Sequence, residues 1–97
     1  MLTTSGYMNS IPSQMSTVQR EETLAALSAV FSNVLGHPMV LKDDSNAASV
    51  KGWDSLSHIE LLVAAEKRFG VAFTSEEIHG FVNAGEIAKA IESKLRE

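Results

Sequence analysis

The sequence predicts an all-α protein, a four-helix bundle with a long first loop and a short third helix. Three observations carry that expectation. Apolar residues recur three and four apart in the runs Leu24–Leu35, Leu56–Phe69 and Ala84–Leu95. Capping residues and glycines bracket those runs. Strand-like alternation is confined to the short Val71-Ala72-Phe73. With 97 residues the chain can bury one core but not two, so a single domain is expected.

Residues 1–15, MLTTSGYMNSIPSQM, are rich in Ser, Thr and Asn without apolar periodicity and read as a flexible N-terminal tail, leaving 16–97 as the domain. Ser16 or Thr17 is the expected cap of the first helix, with Glu21 and Glu22 early in it and Leu24, Leu27, Val30, Phe31, Val34 and Leu35 at helical spacing. Gly36 and Pro38 end it. The connection over 36–53 is about three times the usual length of ~4–6 residues. Its apolar residues Met39, Val40, Leu41, Val50 and Trp53 predict a packed loop, turning at the polar run Lys42–Asn46.

The second helix is expected from Asp54 or Ser55 to Phe69, closed by Gly70. Leu56, Ile59, Leu62, Val63 and Phe69 share one arc, widened by Leu61, Ala64 and Ala65, which predicts a central helix. Ser57, Glu60 and Lys67 form its polar stripe, with Arg68 at the edge, while Glu66 intrudes on the apolar arc and is expected to snorkel or to bond another element. Capping boxes Thr74-x-x-Glu77 and Asn83-x-x-Glu86 predict a short third helix over 75–80 and a fourth whose buried face carries Ala84, Ile87, Ala88, Ile91 and Leu95.

Composition excludes several functions. Twelve acidic against eight basic residues give a net charge of −4, which disfavours nucleic acid and anionic lipid surfaces as partners. The absence of cysteine removes disulfides, Cys-based zinc sites and any protein thiol nucleophile, so thiol chemistry has to come from a cofactor. No apolar run approaches the ~20 residues of a membrane span. With no basic residue ahead of Arg20 there is no secretory charge pattern either, and a cytoplasmic location is expected. His37, His58 and His79 are too scattered for a metal motif, and Asp43-Asp44-Ser45-Asn46 lacks the alternating ligands and glycine of a calcium loop.

The chemistry concentrates in Gly52-Trp53-Asp54-Ser55-Leu56, which puts a hydroxyl in the first turn of the central helix, directly after the long loop. Unpaired N–H groups and the helix dipole there are expected to favour an anion on Ser55 by about 0.3–1 kcal/mol. Trp53 reads as a core anchor. His58, three residues after Ser55, suggests a Ser–His pair, but no nucleophile elbow, third orienting group or oxyanion loop accompanies it.

The run Trp53-Asp54-Ser55-Leu56-Ser57-His58-Ile59-Glu60-Leu61-Leu62, followed by Glu66, Phe69, Gly70 and Val71, resembles the acyl carrier protein signature, Asp-Ser-Leu opening the second helix. The likeness in helix lengths, first loop and closing helix extends over about 17–96. It implies a non-catalytic carrier in which Ser55 receives 4′-phosphopantetheine from coenzyme A through a magnesium-dependent phosphopantetheinyl transferase. The arm's thiol then holds acyl intermediates as thioesters for the loading and processing enzymes of fatty acid, polyketide or related biosynthesis, with the carrier itself a monomer. Tethering of this kind raises the cargo's effective concentration at each partner's active site.

The resemblance also implies a partner surface on the second helix, formed here by Asp54, Leu56, Ser57, Glu60, Val63 and Lys67. Ser57, Lys67 and Arg68 stand where fatty-acid-type carriers usually have acids, and the Gly-Trp-Asp-Ser-Leu form looks more like stand-alone carriers of specialised pathways. A helical adaptor, or a degenerate carrier lacking the prosthetic group, is the competing reading of the same residues.

Overall fold

The computed structural model describes the backbone of residues 12–96 and the side chains of residues 19–96. Among the described residues four helices follow one another: α1 (Pro12–Leu35), α2 (Ser55–Phe69), α3 (Ser75–Gly80) and α4 (Ala84–Arg96). Among the described residues there is no strand, and Val71-Ala72-Phe73 is irregular.

Helix α1 starts at Pro12, earlier than the Ser16 or Thr17 cap the sequence suggests. Proline suits a first helical position, because its missing N–H would be unpaired there anyway and its φ is already helical. Residues 12–15 therefore belong to α1 rather than to a tail, and the rest of the expected tail, 1–11, lies outside the described residues. The helix stops where expected: Gly36 takes a φ of 79° and donates its N–H to the Ser32 carbonyl at 2.9 Å.

The core is the meeting of three helices. Leu27 and Phe31 of α1, Leu61 and Leu62 of α2, and Ile87 and Ile91 of α4 are fully buried, with α1 packed against both α2 and α4. The long loop contributes Leu41 and Trp53 as buried plugs, as its composition implies, with Met39 and Val50 half-buried. Val40 is the exception, an exposed residue rather than an anchor. Leu41 is held by its backbone as well, for its N–H donates to Ser28 Oγ at 2.8 Å while that buried hydroxyl donates to the Leu24 carbonyl at 2.7 Å. Both ends of the hydroxyl are thus satisfied without water.

A charged clamp fixes the loop's middle. The Arg20 guanidinium grips Glu92 bidentately, with Nε and an Nη each 3.0 Å from a carboxylate oxygen, and gives a third bond of 3.0 Å to Asp43. Hydrogen bonding to Glu92, more than that to Asp43, holds Arg20 protonated even more firmly than usual. Residues 43–45 also cap α4, because the N–H groups of Gly85 and Ala84 donate to the carbonyls of Asp43 and Ser45 at 2.9 and 2.8 Å.

Gly85 is needed for that approach. A Cβ there would lie 2.7 Å from the Asp43 carbonyl oxygen and 2.9 Å from its carboxylate. In an exposed helix Gly→Ala gains about 1 kcal/mol from propensity, but overpacking against backbone costs about 1–3 kcal/mol. Gly85→Ala is therefore expected to lower the urea midpoint, and a raised midpoint would show that the loop yields freely.

Two helix ends differ in detail from expectation. The Thr74–Glu77 box closes as predicted, with reciprocal bonds of 3.0 and 2.8 Å. At α4 the Glu86 N–H does donate to Asn83, but the Glu86 carboxylate reaches one residue further back to the Val82 N–H at 2.9 Å, so the second half of the box is shifted. Glu66, the odd acid in the apolar arc, accepts from the Phe73 N–H at 2.7 Å and ties α2 to the approach to α3. Leu95, expected on the buried face of α4, is exposed one turn beyond Ile91.

Candidate functional site

The segment before α2 is built to hold one turn in place. Gly52 sits at φ 92°, a conformation that a side chain would strain. Trp53 follows it into the core, 4% exposed, its ring edge-on to Phe31 with centroids 5.1 Å apart. Asp54 is the N-cap, its Oδ1 accepting from the N–H groups of Leu56 and Ser57, each at 2.9 Å. These bonds, that from Ser57 foremost, hold the Asp54 carboxyl below the usual carboxylate range.

Ser55, the first helical residue, is exposed. Two of the turn's N–H groups, expected to be free for an anion on Ser55, are taken by Asp54, and the His58 N–H closes the first helical bond to the Asp54 carbonyl at 2.9 Å. The protein supplies its own anion to the helix start.

Ser57 is also used internally. Its Oγ accepts from the Asp54 N–H at 2.9 Å and donates to the Gly52 carbonyl at 2.7 Å, which completes a capping box. The other expected contact residues come together. At 100° per residue Leu56, Glu60, Val63 and Lys67 share the face of α2 opposite Leu61, Leu62 and Ala65, and Asp54 stands at its start. Leu56 is 82% exposed and Val63 38%. The broad apolar arc of α2 is thus split, with the Leu61–Leu62–Ala65 side in the core and Leu56, Ile59 and Val63 facing out.

A groove of about 460 Å³ adjoins Ser55, lined by Trp53, Ile59, His79 and Phe81 among others. Sequence reasoning did not find His79 or Phe81, since they lie in and beyond α3 and only the tertiary fold brings them beside α2. A larger groove between α1 and α2, floored by Val30, Val34 and Ala64 and edged by Arg68, does not include Ser55.

His58 is not paired with Ser55. Its Nδ1 accepts from the Trp53 indole N–H at 3.0 Å, and its Nε2 lies 2.6 Å from the Ile78 carbonyl. The indole is only a donor and the carbonyl only an acceptor, so the imidazole is neutral with its proton on Nε2. Neither nitrogen is left to act as a base on Ser55. Among the described residues no group of His, Asp and Glu is arranged to hold a metal ion.

The site suits a phosphopantetheine arm in its chemistry: an exposed primary hydroxyl to esterify and an apolar groove beside it. A small helical bundle that offers such a hydroxyl at the open end of its central helix has the form of a carrier. Comparison with known proteins agrees. Residues 25–91 match the family model described as the phosphopantetheine attachment site. An acyl carrier protein of Prochlorococcus marinus is 32% identical over 78 residues, covering 79% of this chain and 98% of that protein. An acyl carrier protein of Helicobacter pylori is 44% identical over a shorter stretch of 41 residues, 42% of this chain and 53% of that protein. The solution structure of a holo acyl carrier protein from Geobacter metallireducens superposes with a TM-score of 0.70 at 33% identity, covering 76% of this chain and 86% of that one. The chain belongs to the acyl carrier protein family, and its function is to carry acyl groups on a covalently attached phosphopantetheine. No described helix is long and apolar enough to cross a membrane.

Proposed function

We propose that Ser55 is the attachment point of 4′-phosphopantetheine, transferred from coenzyme A by a phosphopantetheinyl transferase with magnesium. The observation that carries this reading is the exposed Ser55 hydroxyl at the start of α2, held there by the Gly52–Ser57 capping network and flanked by the groove. The arm's thiol supplies the thioester that this cysteine-free chain has no side chain to form. The protein itself catalyses nothing. It acts as a monomer in the cytoplasm, its carrier domain runs through 16–97 together with the opening turn of α1, and its cargo belongs to fatty acid, polyketide or related biosynthesis.

Its partners are the transferase and the enzymes that load and process the acyl group. They dock on the outer face of α2, where Leu56 and Val63 offer apolar contact and Asp54 and Glu60 offer acids near Ser55, with Lys67 at the far end. Attraction between these acids and a basic partner acts mainly on encounter and weakens with salt. Glu60→Lys is therefore expected to slow modification by the transferase several-fold at low salt, the difference shrinking as salt is added. Equal rates at low salt would remove Glu60 from the docking surface.

Intact mass tests the central reading. Incubation with coenzyme A, magnesium and a broad-specificity transferase is expected to add one phosphopantetheine per chain, unless the purified protein already carries it. An unmodified mass before and after would favour an adaptor or a degenerate carrier.

A further inference from the structure

We infer that His58 is a positioning residue for the chemistry at Ser55, an inference that rests on Ser55 being the attachment point. One imidazole joins three segments: through Nδ1 the end of the long loop at Trp53, through its own backbone the first turns of α2, and through Nε2–H the Ile78 carbonyl of α3. The rings of Trp53 and His58 lie within 9° of parallel with centroids 6.1 Å apart, which suits an in-plane bond between them.

The third connection matters most, because α3 is weakly held. It is six residues long and buries none of them. Its other polar ties sit at its start, the Glu66 bond to the Phe73 N–H, and on its flank, the Lys94–Glu77 ion pair at 3.1 Å. Among the described residues only the His58 hydrogen bond joins α3 directly to the turn that carries Ser55. The groove beside Ser55 has Trp53 and Ile59 on one side and His79 and Phe81 on the other, and His58 spans the two. Without it the wall bearing His79 and Phe81 keeps its packing against the core but loses its hydrogen-bonded tie to the Ser55 turn, so an enzyme that recognises both meets a surface of less fixed shape.

Packing alone does not require this residue. An alkyl side chain would cover Trp53 but would strand the indole N–H and the Ile78 carbonyl, two polar groups that His58 satisfies together. The residue is therefore chosen for a donor and an acceptor set in fixed directions.

The test combines transferase kinetics, followed by intact mass, with the NMR resonance of the indole N–H, unambiguous because Trp53 is the single tryptophan. His58→Ala is expected to keep its helix content, shift the indole resonance and speed its exchange, and lower kcat/KM for the carrier by about tenfold, mostly through KM. His58→Gln, whose amide supplies one acceptor and one donor, is expected to recover most of that loss. Kinetics of His58→Ala within about twofold of wild type, with the indole resonance displaced, would show a purely structural tie and overturn the inference. So would equal losses in the Ala and Gln variants that simply follow their unfolded fractions. A wild-type chain that takes up no phosphopantetheine would instead remove the Ser55 reading, and this inference with it, a result distinct from the others because every variant would then be silent.

Discussion

Ser55→Ala is expected to remain at its unmodified mass when wild-type protein gains one phosphopantetheine, with its circular dichroism unchanged. The first half of this expected result follows from the absence of a substitute hydroxyl in the turn. Ser57 is two residues away, but its Oγ is engaged with the Asp54 N–H and the Gly52 carbonyl, so it is neither free nor directed outward. The second half follows from exposure. The side chain removed lies on the surface, alanine is the best helix former, and surface changes of this kind usually fall within about 0.5 kcal/mol. The cap that matters to stability is Asp54, which the substitution leaves in place. A mass gain on Ser55→Ala would move the attachment point elsewhere, and a reduced helical signal would mean that the hydroxyl supports the fold.

Phe31→Ala is expected to be the most damaging change to stability. The ring is fully buried at the junction of the three core helices and meets Trp53 edge-on. Truncating a buried phenylalanine costs about 3–5 kcal/mol, while a whole domain holds about 5–15 kcal/mol and a small one sits near the lower end. The variant should thus be close to unfolding at room temperature. Urea titration followed by Trp53 fluorescence measures it, and the same probe reports on the site because Phe31 is the surface against which Trp53 rests. A loss below about 1 kcal/mol would mean that neighbouring side chains refill the space.

Much of this fold is legible in the sequence because its signals are local. The run from Leu24 to Leu35, the caps at Asp54 and Thr74 and the stops at Gly36 and Gly70 each act within one or two turns of chain, so spacing reveals them directly. The discrepancies arise where a local pattern had two solutions. Leu56, Ile59 and Val63 continue the apolar arc of α2, yet its packed neighbours do not enclose it on every side, and the part left uncovered adjoins Ser55. Asn83-x-x-Glu86 is a proper box in sequence, but the free rotation of the glutamate side chain let it find the Val82 N–H instead.

The site divides in the same way. Ser55 as a helix-opening hydroxyl and Trp53 as a core anchor were readable from their positions around the start of one helix, whereas Leu56, Glu60, Val63 and Lys67 entered as a set through the family resemblance. By itself the sequence determined helices α1–α4, the lack of a protein thiol and the family to which the Asp54-Ser55-Leu56 motif belongs. Only the tertiary structure decided that Ser57 bonds back to the Gly52 carbonyl and that Gly85 gives way to Asp43. It alone also made His58 a link to Trp53 and to Ile78, twenty residues further on, rather than a base for Ser55. The physical reason is that a polar side chain commits to whichever partner the packed backbone brings within about 3 Å, and periodicity carries no record of contacts between distant segments.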